Sequence, residues 1–281
     1  MAPAPSPTEP PLSTSLRASV DGRVGRLTLA RPEKRNPLGT DTLEDIVAAA
    51  RWFDAQRDVR VVIVEGEGPS FCGGADVGAF VSAPDDGRDP RDRADAGRRM
   101  ADAVEAMRAV TVARIQGHCI GGGVVLVSAC DLRVATDTAR FSIPEVDLGI
   151  PLTWGGIPRL VREIGAPATR DLVMTCRPFD AHEAHRLGLV QRVVTTDELD
   201  GCVEQLAASL AAKAALAVLS TKRHVDAVTA GMVGIDRSWA DAAGLALALG
   251  DPECRAAGER YVEALVARRA ASGGSGPQGG S

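Results

Sequence analysis

The sequence predicts an α/β protein whose first part stacks quasi-repeating layers and whose last part is helical. Three observations predict it. Val59–Glu65, VRVVIVE, is a near-continuous β-branched run that suits a strand covered on both faces. A strand, Gly-rich turn and helix plan occurs twice, with turns at 66–74 and 117–123, which points to stacked layers rather than an ordinary doubly wound sheet. From about residue 155 onward the chain reads as mostly helical, and no linker separates that part from the first.

The elements follow in order. Residues 16–30 alternate around Asp21-Gly22, a pair that suits a two-residue hairpin turn. Asp41 with Glu44 three residues on reads as a capping box opening a helix, with Leu43, Ile46, Val47, Ala50 and Phe53 on one face. Residues 83–95, APDDGRDPRDRAD, read as a surface loop, either a solvated excursion or a lid. A helix resumes at 96–109. Val112–Gln116 reads as a second strand, and GHCIGGG leads into a helix at VVLVSAC. Leu132–Ala135 is another strand. Pro167 opens a helix, and Ala181–Gly188 is a short helix closed by its glycine. Val190–Val194 is extended, and 197–220 and 234–270 hold Ala-rich helices. The division is therefore a tail at 1–15, a layered core at 16–195, a helical region at 196–271 and a tail at 272–281. Both tails are rich in Pro, Gly, Ser or Ala and read as disordered.

Composition narrows the function. The 281 residues are 45% apolar and 25% charged, enough for one large domain with a core. Only 3% are aromatic, so that core rests on Val, Leu, Ile and Ala. A net charge of −5 lacks the basic footprint of a nucleic-acid binder. No apolar run reaches a membrane-spanning length, and the N-terminus has neither the basic start nor the apolar stretch of a secretory signal, so a cytoplasmic protein is expected. Cysteines 72, 119, 130, 176, 202 and 254 form no C-x-x-C pair and read as buried reduced thiols. His182-Glu183-Ala184-His185 is one residue short of the H-E-x-x-H zinc spacing, so no metal is expected. There is no Walker loop, no G-x-S-x-G and no G-x-G-x-x-G after a strand.

The two Gly-rich turns remain. Either alone can be a mere tight turn. A Gly-rich strand-to-helix turn also leaves backbone N–H groups unpaired and approachable. Gly121-Gly122-Gly123 further sits at a helix start, where the dipole favours negative charge. Two such donors aimed at one point would stabilise a developing enolate oxygen, and losing one such donor costs about 3–4 kcal/mol in a transition state.

These residues carry a family resemblance. Phe71-Cys72-Gly73-Gly74-Ala75-Asp76-Val77 resembles the F-x-x-G-A-D-[IVL] stretch of the crotonase (enoyl-CoA hydratase/isomerase) superfamily. Gln116-Gly117 through Gly121-Gly122-Gly123, then Ala129-Cys130-Asp131-Leu132-Arg133, is similar to its triple-Gly and C-D-[LI]-R stretches. Phe141-Ser142-Ile143-Pro144-Glu145-Val146-Asp147-Leu148-Gly149 resembles F-x-x-P-E-x-x-L-G, and Arg31-Pro32-Glu33-Lys34-Arg35-Asn36-Pro37-Leu38 resembles R-P-x-x-x-N-x-[LM]. The four blocks come in the family's order and spacing, and the resemblance covers roughly residues 16–270 of this chain.

The resemblance implies a crotonase-like ββα spiral core with a helical C-terminal region, assembled as homotrimers that often pair into hexamers. It implies an acyl-CoA thioester as substrate and no permanently bound cofactor. The N–H groups of Ala75 and Gly122 become the two oxyanion donors. Asp76, Val77 and Gly78, with Ala75, would line the pantetheine, and Lys34 and Arg35 are candidates for the CoA phosphates or else merely solvated cations. Family hydratases use two glutamates. The one in the P-E stretch is present as Glu145. The other, two residues beyond the triple glycine, is Val125. A valine cannot orient a water, so proton shuttling or double-bond isomerisation by Glu145 alone is favoured over hydration. The family's Δ3-Δ2 isomerases work with one glutamate at this position. Asp147, if the segment is extended, shares the side of Glu145. Trp154 walls an acyl pocket or packs in the core, and His118 reads as a packed histidine. Hydrolysis, decarboxylation, C–C cleavage and silent acyl-CoA binding remain the alternatives.

Overall fold

The structure, a computed structural model, describes residues 10, 12–76, 90–238 and 240–273. Strands β1 (Leu16–Asp21) and β2 (Val24–Leu29) form the opening hairpin. Asp21 pairs with Val24, so the turn residues are Gly22 and Arg23, one position later than the sequence pattern indicates. Gly22 supplies the left-handed φ of 56° that such a turn needs. Helix α1 (Thr40–Ala55) starts after Gly39, with no side-chain cap, so the capping box does not form. Strands β3 (Val61–Gly66), β4 (Val110–Ile115), β6 (Leu132–Thr136) and β9 (Arg192–Val194) continue from β2 in parallel, in the order β1-β2-β3-β4-β6-β9. A smaller sheet orders β5 (His118–Ile120), β7 (Arg140–Ser142) and β8 (Phe179–Asp180).

The main sheet is covered on both faces, as its β-branched runs require. Side chains alternate across a strand. Val62 and Val64 therefore enter the central core with Leu27, Leu29, Ala113, Ile115 and Ala135. Val61 and Ile63 turn the other way, with Val112 and Val134, onto Leu199, Val203, Leu206 and Ala207 of the helix Leu199–Ala211.

Among the described residues, five α-helices come before that one. After α1 come α2 (Pro90–Glu105), α3 (Gly122–Ser128), α4 (Gly156–Thr175) and α5 (Ala181–Leu187), and Leu199–Ala211 is α6. The expected loop at 83–95 thus ends before residue 90, since Pro90 is already helical, and 83–89 lie outside the described residues. Within α4, Gly165 has φ 74° and ψ 161°, which breaks the helix two residues before Pro167. Pro167 does open a helical stretch, but after a kink rather than a loop. The C-terminal region divides more finely than the composition suggested, into α6, α7 (Ala215–Met232), α8 (Asp241–Gly250) and α9 (Pro252–Gly273). Ahead of β1, Ser13 and Ser15 are tied to α1: Ser13 N–H donates to Asp45 Oδ2 at 2.9 Å and Thr42 Oγ1 donates to Ser15 Oγ at 2.9 Å. No single described helix is long and apolar enough to cross a membrane, although α6 and α7 pass that test together as a pair bent by 106°.

The layers are locked by buried arginine. Arg133 on β6 is 2% exposed. Its guanidinium donates to the carbonyls of Val127 at 3.0 Å and Cys130 at 2.7 Å, at the end of α3, and also reaches Leu189 O and the Glu163 carboxylate of α4. One side chain thereby ties the chain at the end of α3 to β6, α4 and Leu189. Arg133→Ala should cost about 3–5 kcal/mol in urea unfolding, because it takes the guanidinium from the Glu163 carboxylate and from the carbonyls of Cys130 and Leu189. Arg17→Ala, which removes an exposed ion pair with Glu67, should cost under about 1 kcal/mol.

Candidate active site

The two Gly-rich turns lie one on the other. Cys72 and Cys119 form a parallel bridge, with Cys72 N–H donating to His118 O at 2.9 Å and Ile120 N–H donating to Cys72 O at 3.0 Å. Phe71 N–H adds a bond to Gln116 O at 2.8 Å. Leu38, from the first motif, pairs with Ala75 in the same manner.

That stacking uses up the backbone donors around Ala75. Gly73 N–H donates to Arg35 O at 2.6 Å, Gly74 N–H to Cys72 Sγ at 3.4 Å and Asp76 N–H to Leu38 O at 3.0 Å. In a parallel bridge Leu38 bonds the residues on either side of Ala75, so the N–H of Ala75 points the opposite way. Cys72 is a neutral thiol, since burial pushes it up to about 12. In the second turn Gly121 N–H donates to Ser142 O at 2.9 Å. Gly122 is the first residue of α3, where an N–H has no intrahelical acceptor. Among the described residues, neither Ala75 N–H nor Gly122 N–H has a hydrogen-bond acceptor.

Glu145 lies beside the second turn. A Cβ added to Gly121 would sit 2.5 Å from Glu145 Oε1, and Gly121 itself has φ 50°, so only glycine serves there. Glu145 Oε2 is buried with no hydrogen-bond partner among the described residues. Burial lifts this carboxyl from the ordinary carboxylate range to about 7, and no charged neighbour contributes to the rise. Phe141 and Ile143 are buried near it in sequence, but Val146 is 43% exposed and does not shield it. The segment after Pro144 is a helical turn, with Leu148 N–H donating to Pro144 O at 3.0 Å and Ile150 N–H to Glu145 O at 2.9 Å. It is not extended, so Asp147 does not share the side of Glu145; it is exposed. Its N–H instead donates to Cys176 Sγ at 3.3 Å, which ties the Glu145 turn to the end of α4.

Val125 is 1% exposed in the central core. Its Cγ2 would lie 2.9 Å from a Cβ on Gly156, alongside Leu152, so its surroundings are apolar. Trp154 is buried, and its indole fills the space where a Cβ on Gly97 or Gly122 would stand. The sequence reading missed Gly97, and also the residues that hold Trp154. Arg159, fully buried, donates to Trp154 O and Gly155 O, both at 3.3 Å. It also donates to Asp102 Oδ1 at 2.8 Å and Glu105 Oε2 at 2.6 Å, both on α2.

Other sequence candidates fall on the rim. Asp76 forms an ion pair with Arg31 at 3.3 Å. Lys34 and Arg35 are exposed, and Arg35 has a left-handed backbone, φ 62°, that places its carbonyl on Gly73. Val77 and Gly78 lie outside the described residues. His118 is exposed rather than packed, with Nδ1 3.3 Å from Ser70 Oγ. Partial burial first, then the nearby Arg35 and Arg140, hold its pKa below the ordinary histidine value. Asn36 had no role in the sequence reading beyond its place in the motif. It is buried, and its Nδ2 lies within 2.9 Å of Glu67 O and Ser70 O and 3.2 Å of Phe71 O, while Oδ1 accepts from Arg31 N at 2.9 Å. It pins the first motif to the loop that carries Ala75. Cys72, Cys119, Cys130 and Cys176 are buried free thiols, while Cys202 and Cys254 are half-exposed. No cluster of three or more metal-ligating His, Cys, Asp or Glu occurs among the described residues.

A parallel spiral sheet with two stacked Gly-rich turns and one buried carboxyl beside them defines an enzyme of the crotonase fold. The profile of the enoyl-CoA hydratase/isomerase family matches residues 20–266, and the chain belongs to that family. A crotonyl-CoA hydratase of Syntrophomonas wolfei is 36% identical over 234 residues, covering 82% of this chain and 88% of that protein. A peroxisomal Delta(3,5)-Delta(2,4)-dienoyl-CoA isomerase of Arabidopsis thaliana is 34% identical over 218 residues, covering 74% and 78%. Among solved structures, an enoyl-CoA hydratase from Bacillus anthracis superposes with a TM-score of 0.71 at 29% identity, covering 75% of this chain and 82% of that one.

The raised pKa of Glu145 has a stability consequence. The folded protein keeps the proton up to about pH 7, whereas an unfolded glutamate releases it near the ordinary carboxylate value of 4.5. Stability therefore falls as pH rises through that window and the full penalty is present above it. Glu145→Gln removes the titration. It should be more stable than the parent by about 1–3 kcal/mol at pH 8 and nearly equal to it at pH 4.5, as read by urea unfolding at the two pH values.

Proposed function

We propose that the chain binds an acyl-CoA with its thioester oxygen between the N–H groups of Ala75 and Gly122, and that Glu145 moves the proton. What carries this reading is the placement of one buried carboxyl against Gly121, its Oε2 without a partner among the described residues, next in sequence to the Gly122 donor. The two amides are fixed by the fold before substrate arrives, so stabilising an enolate oxygen requires no reorganisation. A carboxyl poised near pH 7 can both take and return a proton.

The proposed reaction is isomerisation or a related proton shuttle rather than hydration. Removing a C2 proton from a 3-enoyl thioester puts the electron pair onto the thioester oxygen and shifts the double bond. Returning the proton to C4 yields the 2-enoyl thioester, and nothing else is consumed. Hydration needs a second group to hold water, and position 125 offers a valine packed against Leu152 and Gly156. Lys34 and Arg35 stand at the rim as candidate phosphate contacts, and Asp76, Val77 and Gly78 as the pantetheine side.

Two experiments test this. With a 3-enoyl-CoA deuterated at C2, the wild type should yield the 2-enoyl product carrying deuterium at C4, and Glu145→Gln should lower the rate about 100- to 10,000-fold. Near-native turnover by the variant rules out Glu145, and hydration of a 2-enoyl-CoA faster than isomerisation rules out the preference. We also propose a homotrimer or hexamer. Exposed Leu216, Val225, Val228 and Met232 on α7 and Leu247 and Leu249 on α8 support it, being too apolar for free helix faces. Light scattering should give three or six chains per particle, and Leu216→Asp with Met232→Asp should give monomers.

A further inference from the structure

Trp154 has a left-handed backbone, φ 63°, which a bulky residue adopts only when its surroundings enforce it. They do. Arg159 grips the carbonyls of Trp154 and Gly155 while both its other edges are held by Asp102 and Glu105 of α2. On the opposite side Gly155 N–H donates to Asp241 Oδ2 of α8 at 2.9 Å. Three elements therefore converge on one dipeptide.

The clamp drives the indole into a slot with a glycine on each side. The six-membered ring lies on Gly122 and the fused edge on Gly97, and a methyl group at either glycine would overlap it. Gly97 sits inside helix α2, where glycine costs roughly 1 kcal/mol relative to alanine. An ordinary core tryptophan does not need a mid-helix glycine. This one is wedged between α2 and the residue whose N–H faces the thioester oxygen.

We infer that Trp154 is the specificity-determining end-stop of the acyl pocket and restricts the enzyme to short, unbranched acyl groups. This rests on the reading of Ala75 and Gly122 as thioester donors. The carbonyl carbon is then fixed beside Gly122 and the reacting carbons beside Glu145. With the CoA side leading away past Asp76 and Arg35, the acyl chain runs on toward the indole. The clamp holds the Trp154 backbone in place, because moving it would take two carbonyls away from the buried Arg159 guanidinium.

The test uses saturated thioesters, which bind without reacting and so do not depend on which reaction is catalysed. By calorimetry, wild type should bind butyryl-CoA at least about ten-fold more tightly than octanoyl-CoA. Trp154→Ala and Trp154→Leu should each shrink that ratio at least about ten-fold, mostly by tightening octanoyl-CoA. Trp154→Leu keeps an apolar side chain against a collapse of the slot, and wild-type selectivity needs no variant. Equal wild-type affinity for the two thioesters, or an unchanged ratio in the folded variants, overturns the inference while leaving the site reading intact. No binding of either thioester by wild type overturns the site reading, and the inference with it.

Discussion

The backbone pairing of Cys72 with Cys119 is the constraint on which the site depends. It sets one Gly-rich turn on the other, and each turn then spends its neighbouring amides on the other layers of the spiral. Gly73 goes to Arg35, Asp76 to Leu38 and Gly121 to Ser142. Among the amides left over in the described residues are the N–H of Ala75 and that of Gly122. The donors are thus a residue of the folding arithmetic rather than an added feature. Backbone amides inside a protein are normally satisfied, so two left unpaired at stacked turns support the proposal that they receive an acceptor from outside.

The same economy governs charge. Arg133 and Arg159 are buried and matched with carboxylates and carbonyls. Glu145 is buried and matched with nothing at Oε2. A carboxyl in that condition is destabilising when ionised, and its pKa rises until the neutral form is accessible. The fold thus carries a local penalty that makes the proton transferable at neutral pH. Val125 is packed in the apolar core beside Leu152 and Gly156 and brings no second carboxylate.

Much of this was legible in the residues. The four motifs fall where the spiral needs them, and the strand–turn–helix repeat corresponds to turns that do stack. Local geometry was less legible. Asp21-Gly22 marked the hairpin, but the cross-strand register moved the turn to Gly22-Arg23. Asp41 and Glu44 looked like a capping box, but α1 begins earlier, at Thr40. Asp147 was placed beside Glu145 by assuming an extended chain, and the helical turn after Pro144 turned it outward. His118 was expected inside and lies on the rim. The Arg159 clamp and the Gly97 slot were not legible, because each is a contact between segments more than fifty residues apart. Asp102 and Glu105, three apart on one helix and so on one face, were the available hint.

The central claim is that two fixed amides polarise a thioester carbonyl. Difference infrared spectroscopy on an acyl-CoA carrying carbon-13 at its carbonyl measures this directly. A carbonyl held by two amides in a water-poor site has a weakened C=O bond. Its stretch should move to lower frequency on binding, and the shift should persist in Glu145→Gln, whose amides are untouched. A bound carbonyl that absorbs where it does in water would contradict the account.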